Sequence, residues 1–341
     1  MRAAIVGCGA VARTHLRTLK RMGDIELAAL CDKDQRAATA MSKEWNVGHY
    51  YTDPCEMLEK ENLSIVSILT PPQFHASIAI EAIRRQVNVL VEKPLAMTSR
   101  EAQQVLDSLK GSCVKLTVNH DWLFSKVMMD ALHLYRTGAL GKVLQMEVKV
   151  LHTQDDPMAS NQNHWCHRIL GGRFGEMLAH PVYLIQSILG YDLQIDRVLA
   201  NKLGSYPWMT YDELHITLRR ERVPGYIYVS FNSPRPAITI DIYGTLQILK
   251  IDPMNQIAFK SGPRTFSKMD SAKNCLGLSC QLLLATVRNA LRYLLLEQGE
   301  YGLRFSYMSL IDSIKTDREP LVTPTMAYNA VRTVEEICQE I

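Results

Sequence analysis

The sequence lacks an excess of either charge: 38 Lys and Arg against 35 Asp and Glu leave a formal net charge of +3 over 341 residues. So small an excess builds no long-range field to gather a polyphosphate backbone, which argues against a nucleic-acid partner. Long apolar runs are also missing. The most apolar late segment, Leu282 to Leu296, is broken by Arg288, Asn289 and Arg292, and a bilayer span needs roughly 18 unbroken apolar residues. No membrane span is expected. Met1-Arg2-Ala3-Ala4-Ile5-Val6 runs straight into a strand pattern, without the charged start, apolar stretch and cleavage site of a signal peptide. The cysteines (Cys8, Cys31, Cys55, Cys113, Cys166, Cys275, Cys280 and Cys338) lack the short paired spacings of a zinc site and read as reduced thiols of a cytoplasmic protein. Glycine and proline do not cluster, and no repeat or low-complexity tract is present, which removes the disordered and fibrous classes.

What is present fits about two domains at roughly 150 residues each. Up to about residue 120, short β-branched runs (Ala3 to Val6, Leu27 to Cys31, Ile65 to Leu69, Val87 to Val91, Val114 to Val118) alternate with amphipathic helical stretches. That rhythm builds a doubly wound parallel sheet. Beyond Leu140-Gly141-Lys142 the pattern changes to strands separated by turns, with helices expected at Lys126 to Thr137, Phe174 to Leu189, Leu282 to Leu296 and Pro324 to Glu340. The expected architecture is an α/β Rossmann domain over 1–120, then an α+β domain with an open, mainly antiparallel sheet over 121–341, its C-terminal tail free to pack back on the first. In the Leu282 to Leu296 helix, Leu283, Val287, Ala290, Leu291 and Leu294 share a face opposite Arg288 and Arg292. Packing on the sheet or on a second subunit is the favoured reading of that face, ahead of a membrane surface.

Gly7-Cys8-Gly9-Ala10-Val11-Ala12 follows the first strand and opens the first helix, the position of a dinucleotide fingerprint. Gly7 permits the tight turn, Gly9 lets the backbone approach a pyrophosphate, and the free N–H groups from Gly9 to Val11 face the anion. Asp32, at the end of the second strand, is placed to accept from ribose hydroxyls. A carboxylate there repels a 2′-phosphate and favours NAD, while Lys33 and Arg36 keep NADP open. Thr70-Pro71-Pro72-Gln73-Phe74-His75 and Glu92-Lys93-Pro94 each follow a predicted strand, at the carboxyl ends where open α/β sheets hold ligands.

With these motifs in this order, and with Ala139-Leu140-Gly141-Lys142-Val143, Tyr243-Gly244-Thr245 and the tail Asp317-Arg318-Glu319-Pro320, the chain resembles the glucose-fructose oxidoreductase / inositol dehydrogenase / MocA family of NAD(P)-dependent oxidoreductases. The resemblance implies a cofactor site from Gly7, Gly9, Ala10, Val11, Asp32, Lys33, Thr70, Pro71, His75, Glu92 and Lys93, and assembly of dimers or tetramers through the outer face of the second sheet. It also implies a catalytic helix with an Asp and, four residues on, a His. Here Glu176 stands in the Asp position and His180 keeps its place, a spacing that puts both on one helix face. Tyr183 replaces a further acidic position, and His120 and Asp121 replace an arginine-rich stretch.

For hydride transfer from a secondary alcohol, His180 is expected as general acid/base, Lys93 as the cation stabilising the alkoxide, and Glu176 as the carboxylate orienting one of them. Asn119, Trp165, Arg168 and Tyr183 are the expected substrate contacts. A metal site can be drawn from His164, Cys166, His167 and His180, but the resemblance requires none, and no metal is expected. The expected substrate is a sugar, nucleotide-sugar or cyclic polyol. Two other readings stand beside it: redox-neutral NAD-dependent elimination of the glycosidase kind, and an NAD(P)-binding regulator without turnover.

Overall fold

Ala3, Ala4, Ile5 and Val6 are all buried, because the strand they form lies in the middle of a sheet that helices cover on both sides. In the computed structural model, which describes residues 1–262, 267–295 and 301–341, the chain divides into two compact units. They are Met1–Asp121 with Glu300–Arg332, and Trp122–Gly299 with Thr333–Ile341.

The first unit runs β1 (Arg2–Val6), α1 (Ala12–Arg21), β2 (Glu26–Cys31), α2 (Gln35–Trp45), β3 (His49–Tyr51), α3 (Pro54–Lys60), β4 (Ile65–Ile68), α4 (His75–Arg84), β5 (Asn88–Glu92), α5 (Ser99–Leu109) and β6 (Leu116–Asn119). All six strands are parallel, in the order β3-β2-β1-β4-β5-β6. The order reverses between β1 and β4, which opens the crevice where doubly wound sheets bind nucleotides. Side-chain caps set the helix starts: Asp34 accepts from Arg36 N–H, Asp53 from Cys55 N–H ahead of Pro54, and Thr98 from Glu101 N–H.

The second unit holds α6 (Lys126–Arg136), β7 (Val143–Leu151), α7 (Pro157–Ser160), α8 (Gly172–Met177), α9 (Ala179–Leu189), β8 (Gln194–Asn201), β9 (Glu213–Arg220), β10 (Val223–Ser230), β11 (Ala237–Gly244), β12 (Ile248–Asp252), β13 (Ile257–Ser261) and α10 (Lys268–Leu295). Its seven strands lie in the order β13-β12-β11-β7-β10-β9-β8. Every pair is antiparallel except β7 with β10, which are joined through helices and two further strands instead of a tight turn. The described chain continues with α11 (Tyr301–Thr316) and α12 (Pro324–Gln339). Leu303, Tyr307 and Leu310 of α11 join the first unit's core with Ile5, Leu16, Leu30 and Leu90.

Two expected helices differ. The single helix expected from Phe174 to Leu189 is two, α8 and α9, meeting at Leu178. Pro181 is the cause: it has no N–H to donate to the Met177 carbonyl, so the ladder breaks there, and the proline sits harmlessly in the first turn of α9. The helix expected from Leu282 begins earlier, at Lys268, while Leu296 lies outside the described residues. Its Leu283, Val287 and Leu291 do not pack on the sheet but are exposed.

Candidate active site

In the first unit, the turn after β1 is shaped by Gly7. Its φ is +104°, and a Cβ there would lie 2.7 Å from the Leu69 carbonyl and 2.9 Å from Thr70 N. A Cβ on Gly9 would meet nothing within 4 Å, so the turn leaves open space at the second glycine of the fingerprint. Asp32 accepts from Cys8 N–H at 2.8 Å and Asp34 N–H at 2.9 Å, which holds the turn and the end of β2 in register. Lys33 Nζ lies 5.9 Å from the centre of the Phe74 ring, a cation–π contact. Thr70 Oγ1 and Asn119 Oδ1 are buried without hydrogen-bond partners among the described residues. Open space at Gly9, a ribose-height carboxylate and two unsatisfied polar atoms at the carboxyl edge of the sheet fit a dinucleotide.

His75, expected at the cofactor, is otherwise engaged. Its ring nitrogens lie 2.7 Å from the Pro94 and Thr70 carbonyls, so it ties the loops after β4 and β5 together and offers a ligand neither nitrogen. Behind Lys93 runs a buried chain that the motifs did not reveal. Ser67 Oγ is 2.7 Å from Tyr307 Oη, Tyr307 Oη 2.8 Å from His15 Nδ1, His15 Nε2 2.9 Å from Glu92 Oε1, and Asn119 Nδ2 donates to the same oxygen at 2.7 Å. Burial pushes the Glu92 carboxyl up, but the bonds from His15 and Asn119 and the Lys93 charge outweigh it and hold it below the usual range. With Glu92 ionised, one donor pattern uses every hydrogen: Ser67 to Tyr307, Tyr307 to His15 Nδ1, His15 Nε2–H to Glu92. The Lys93 N–H also donates to Glu92, at 3.2 Å. His120, in the place of the family's arginine-rich stretch, is held neutral by burial, its pKa pushed down to about 3.

In the second unit His180 is buried, stacked on Trp122 with ring centres 4.0 Å apart and planes 17° from parallel. Its Nδ1 lies 2.9 Å from Tyr183 Oη, which also accepts from Trp122 N–H at 3.3 Å. Tyr183, expected against the substrate, thus supports the imidazole. Glu176 accepts from the guanidinium of Arg173, which also reaches Asp156 at 3.3 Å and lies 5.0 Å from the Phe231 ring. Asp156 takes His152 Nδ1 at 3.2 Å; burial raises its carboxyl, yet His152 and Arg173 together hold it well below the ordinary carboxylate range. Trp165 and Arg168 lie on a short 3-10 turn, Trp165 half-buried against His164 and Arg168 exposed. His164 accepts from Cys166 N–H and His167 bonds the Met158 carbonyl, so both brace that loop. Among the described residues no three His, Cys, Asp or Glu side chains are grouped as a metal site. Buried Cys8 and Cys166, with pKa values pushed up to about 12 and about 11, stay thiols at neutral pH. Arg173 carried one legible signal, a cation three residues before Glu176 in the same short helix, whereas Asp156, His15 and Tyr307 carried none that spacing could read.

A family model described as an oxidoreductase family with an NAD-binding Rossmann fold matches residues 1–120, and the GFO/IDH/MocA C-terminal domain matches residues 128–250. The chain belongs to this family. Among curated relatives, a D-apiose dehydrogenase of Paraburkholderia graminis is 28% identical over 138 residues, 40% of this chain and 37% of that protein. A 4-carboxy-2-hydroxymuconate-6-semialdehyde dehydrogenase of Sphingobium is 29% identical over 298 residues, 84% of this chain and 90% of that one. Matches to three further family relatives span only 56%, 60% and 43% of their lengths. The fold is shared with the WlbA dehydrogenase of Bordetella pertussis, crystallised with NADH and UDP-GlcNAcA, at a TM-score of 0.81, 18% identity, and coverage of 100% of this chain and 95% of that one. Among the described residues no helix is long and apolar enough to cross a membrane.

Proposed function

We propose that this family member is an NAD-dependent dehydrogenase acting on a secondary hydroxyl or ketone of a sugar, nucleotide-linked sugar or cyclic polyol. The observation that carries the reading is Lys93, set after β5 on a carboxylate that a buried hydrogen-bonded chain keeps ionised, in the same unit as the Gly7–Gly9 turn. The sugars named for the D-apiose and WlbA dehydrogenases support the substrate class. When bound, the nicotinamide supplies the hydride acceptor. The N–H groups from Gly9 to Val11 hold the pyrophosphate, and Asp32 accepts from the adenine ribose and disfavours a 2′-phosphate. Thr70 Oγ1 and Asn119 Oδ1 offer the ligand a hydroxyl and an acceptor.

Lys93 places its ammonium against the substrate oxygen and stabilises the alkoxide. His180 takes the hydroxyl proton at Nε2, its Nδ1 being held by Tyr183, and returns it in the reverse direction. Glu176, paired with Arg173, fixes the turn that presents His180. Trp165 and Arg168 supply a ring and a guanidinium to the substrate.

The test is a panel of sugars and polyols with NAD and with NADP, followed by cofactor absorbance, for the parent, Lys93→Ala and His180→Ala. The expected result is NAD reduction by the parent and a loss of about 10²–10³-fold in turnover for either variant, with NADH affinity kept in His180→Ala. Turnover at the parent's rate in either variant refutes the role given to that residue. Product release without net NADH supports elimination instead, and tight NADH binding with no turnover supports a regulator.

A further inference from the structure

The helix α10 is amphipathic the wrong way round. Toward the second unit's sheet it presents amides around the buried Ala285, with Leu278 and Leu282 at a cavity wall. Gln281 receives the Lys260 N–H at 2.8 Å and donates to the Lys260 carbonyl at 3.1 Å, completing the free edge of β13 as a neighbouring strand would. Asn289 donates to the Asn255 and Gln256 carbonyls at 2.8 and 3.1 Å, and Asn274 has a buried amide nitrogen. Toward solvent the helix presents Met269, Leu276, Leu283, Leu284, Val287 and Leu291, with Leu276, Leu283 and Leu284 exposed by 68%, 65% and 69%.

At 3.6 residues per turn those six side chains fall within an arc of about 100° and run for roughly 33 Å. No residue from Asn274 to Val287 is charged. The stripe leaves on the order of 600 Å² of apolar surface open, as large as the biggest patch on most monomers (~300–600 Å²) and close to the ~800 Å² per partner of a stable interface. Beside it lies a cavity of about 680 Å³ between α10 and the β11–β13 end of the sheet, walled by Leu246, Ile248, Phe259, Leu278 and Leu282, which extends the apolar surface.

We propose that the outward face of α10 is the surface on which this chain pairs with a second copy of itself, α10 against α10. A stripe that is linear, carries a single charge (Lys273) near its N-terminal end, is uncharged from Asn274 to Val287 and holds the small Cys280 at its middle is complementary to its own copy turned end for end. With the two-fold axis near Leu283, Leu276 faces Leu291 of the other copy and Cys280 faces its Val287. A lipid surface would be met by rows of basic residues along both flanks, whereas from Met269 to Leu291 the only basic residues are Lys273 and Arg288, fifteen positions apart, with Asp270 beside the first. This surface is distinct from the outer face of the sheet around Glu147, Lys149, His215, Tyr226 and Tyr228, which is polar and aromatic.

The test is sedimentation equilibrium of the full chain and of Leu283→Glu, with a bis-maleimide cross-link through the exposed Cys280. The expected result is a parent whose mass halves in Leu283→Glu, with circular dichroism and NADH affinity unchanged, and a covalent dimer in the parent that the variant and Cys280→Ser both lose. Three results overturn the proposal: a parent that is monomeric at every concentration, a Leu283→Glu variant that keeps the parent's mass, or parent binding to phosphatidylcholine–phosphatidylserine vesicles that Leu283→Glu abolishes without a change in mass.

Discussion

Adding a methyl group to each glycine of the fingerprint should have opposite effects on stability and on cofactor binding. At Gly7, φ is +104°, and the new Cβ would stand 2.7 Å from the Leu69 carbonyl. A side chain at a left-handed φ costs roughly 1–2 kcal/mol, and because the overlap is with main chain at the end of β4, relief requires a backbone shift of the kind that costs about 1–3 kcal/mol. Together the loss is about 3 kcal/mol, which for a unit of this size lowers Tm by roughly 6–12 °C. Gly9 is not among the glycines with positive φ, and its Cβ would meet nothing within 4 Å. Gly9→Ala is therefore unstrained, and restricting the unfolded chain gains about 0.4–1 kcal/mol. Its methyl group fills the space assigned to the pyrophosphate, so NADH affinity should fall at least ~10-fold, about 1.4 kcal/mol. Scanning calorimetry and NADH fluorescence titration on both variants check this. If Gly9→Ala binds NADH like the parent, or melts as low as Gly7→Ala, the account of the turn is wrong.

Arg173→Ala removes the guanidinium shared by half-buried Asp156 and buried Glu176, leaving Asp156 its His152 and main-chain N–H partners, and urea titration should show a loss of about 3 kcal/mol, part of which Arg173→Ala with Glu176→Gln recovers. The Asp156 carboxyl is held well below its ordinary range in the folded protein, so its stabilising contribution is full above the unfolded value of about 3.9 and is lost as pH falls toward the folded value. Acid titration followed by circular dichroism should therefore be steeper below about pH 4 for the parent than for Asp156→Asn. Tyr183→Phe removes the hydroxyl that holds His180 Nδ1; kcat should fall about tenfold, in line with a lost bond of roughly 1.4 kcal/mol, with KM within about twofold. An unchanged kcat in that variant would make Tyr183 a packing residue only.

The first unit was legible because its signals are local. Strand, turn and helix follow one another within a few residues, and the six strands keep their β-branched runs because both faces of the sheet are covered. The elements that escaped, in both units, have physical causes. β3 spans three residues, too few for a period, and β8 is an edge strand whose register shifts between Ile195 and Arg197, so its alternation slips by one. α11 does carry helical spacing in Leu303, Tyr307 and Leu310, diluted by Gly302 and Ser306. The first half of α10 carried none, because its sheet-facing side relies largely on amides such as Asn274 and Gln281 while Met269 and Leu276 point outward, the reverse of what a periodicity argument assumes.

The site was legible only where chemistry and spacing coincide. Gly7, Gly9, Asp32 and Lys93 sit at fixed distances from strand ends, so topology alone brings them to the carboxyl edge of one sheet. Residues that act through another residue have no such constraint: His15 reaches Glu92 from α1, and Tyr307 reaches His15 across 292 positions of sequence. Two of the departures from the family pattern gain meaning from contacts of this kind. Glu176 for Asp lengthens a carboxylate by one methylene, and the structure supplies Arg173 to receive it. Tyr183 for an acid replaces a charge with a neutral hydroxyl, and that hydroxyl bonds both His180 and the Trp122 main chain, while the Trp122 ring stacks on the imidazole. A substitution judged alone at its own position looks like a lost function. Judged with the residue that touches it, each is one half of a compensated pair, and the half that explains it lies wherever the fold, not the motif, brings it.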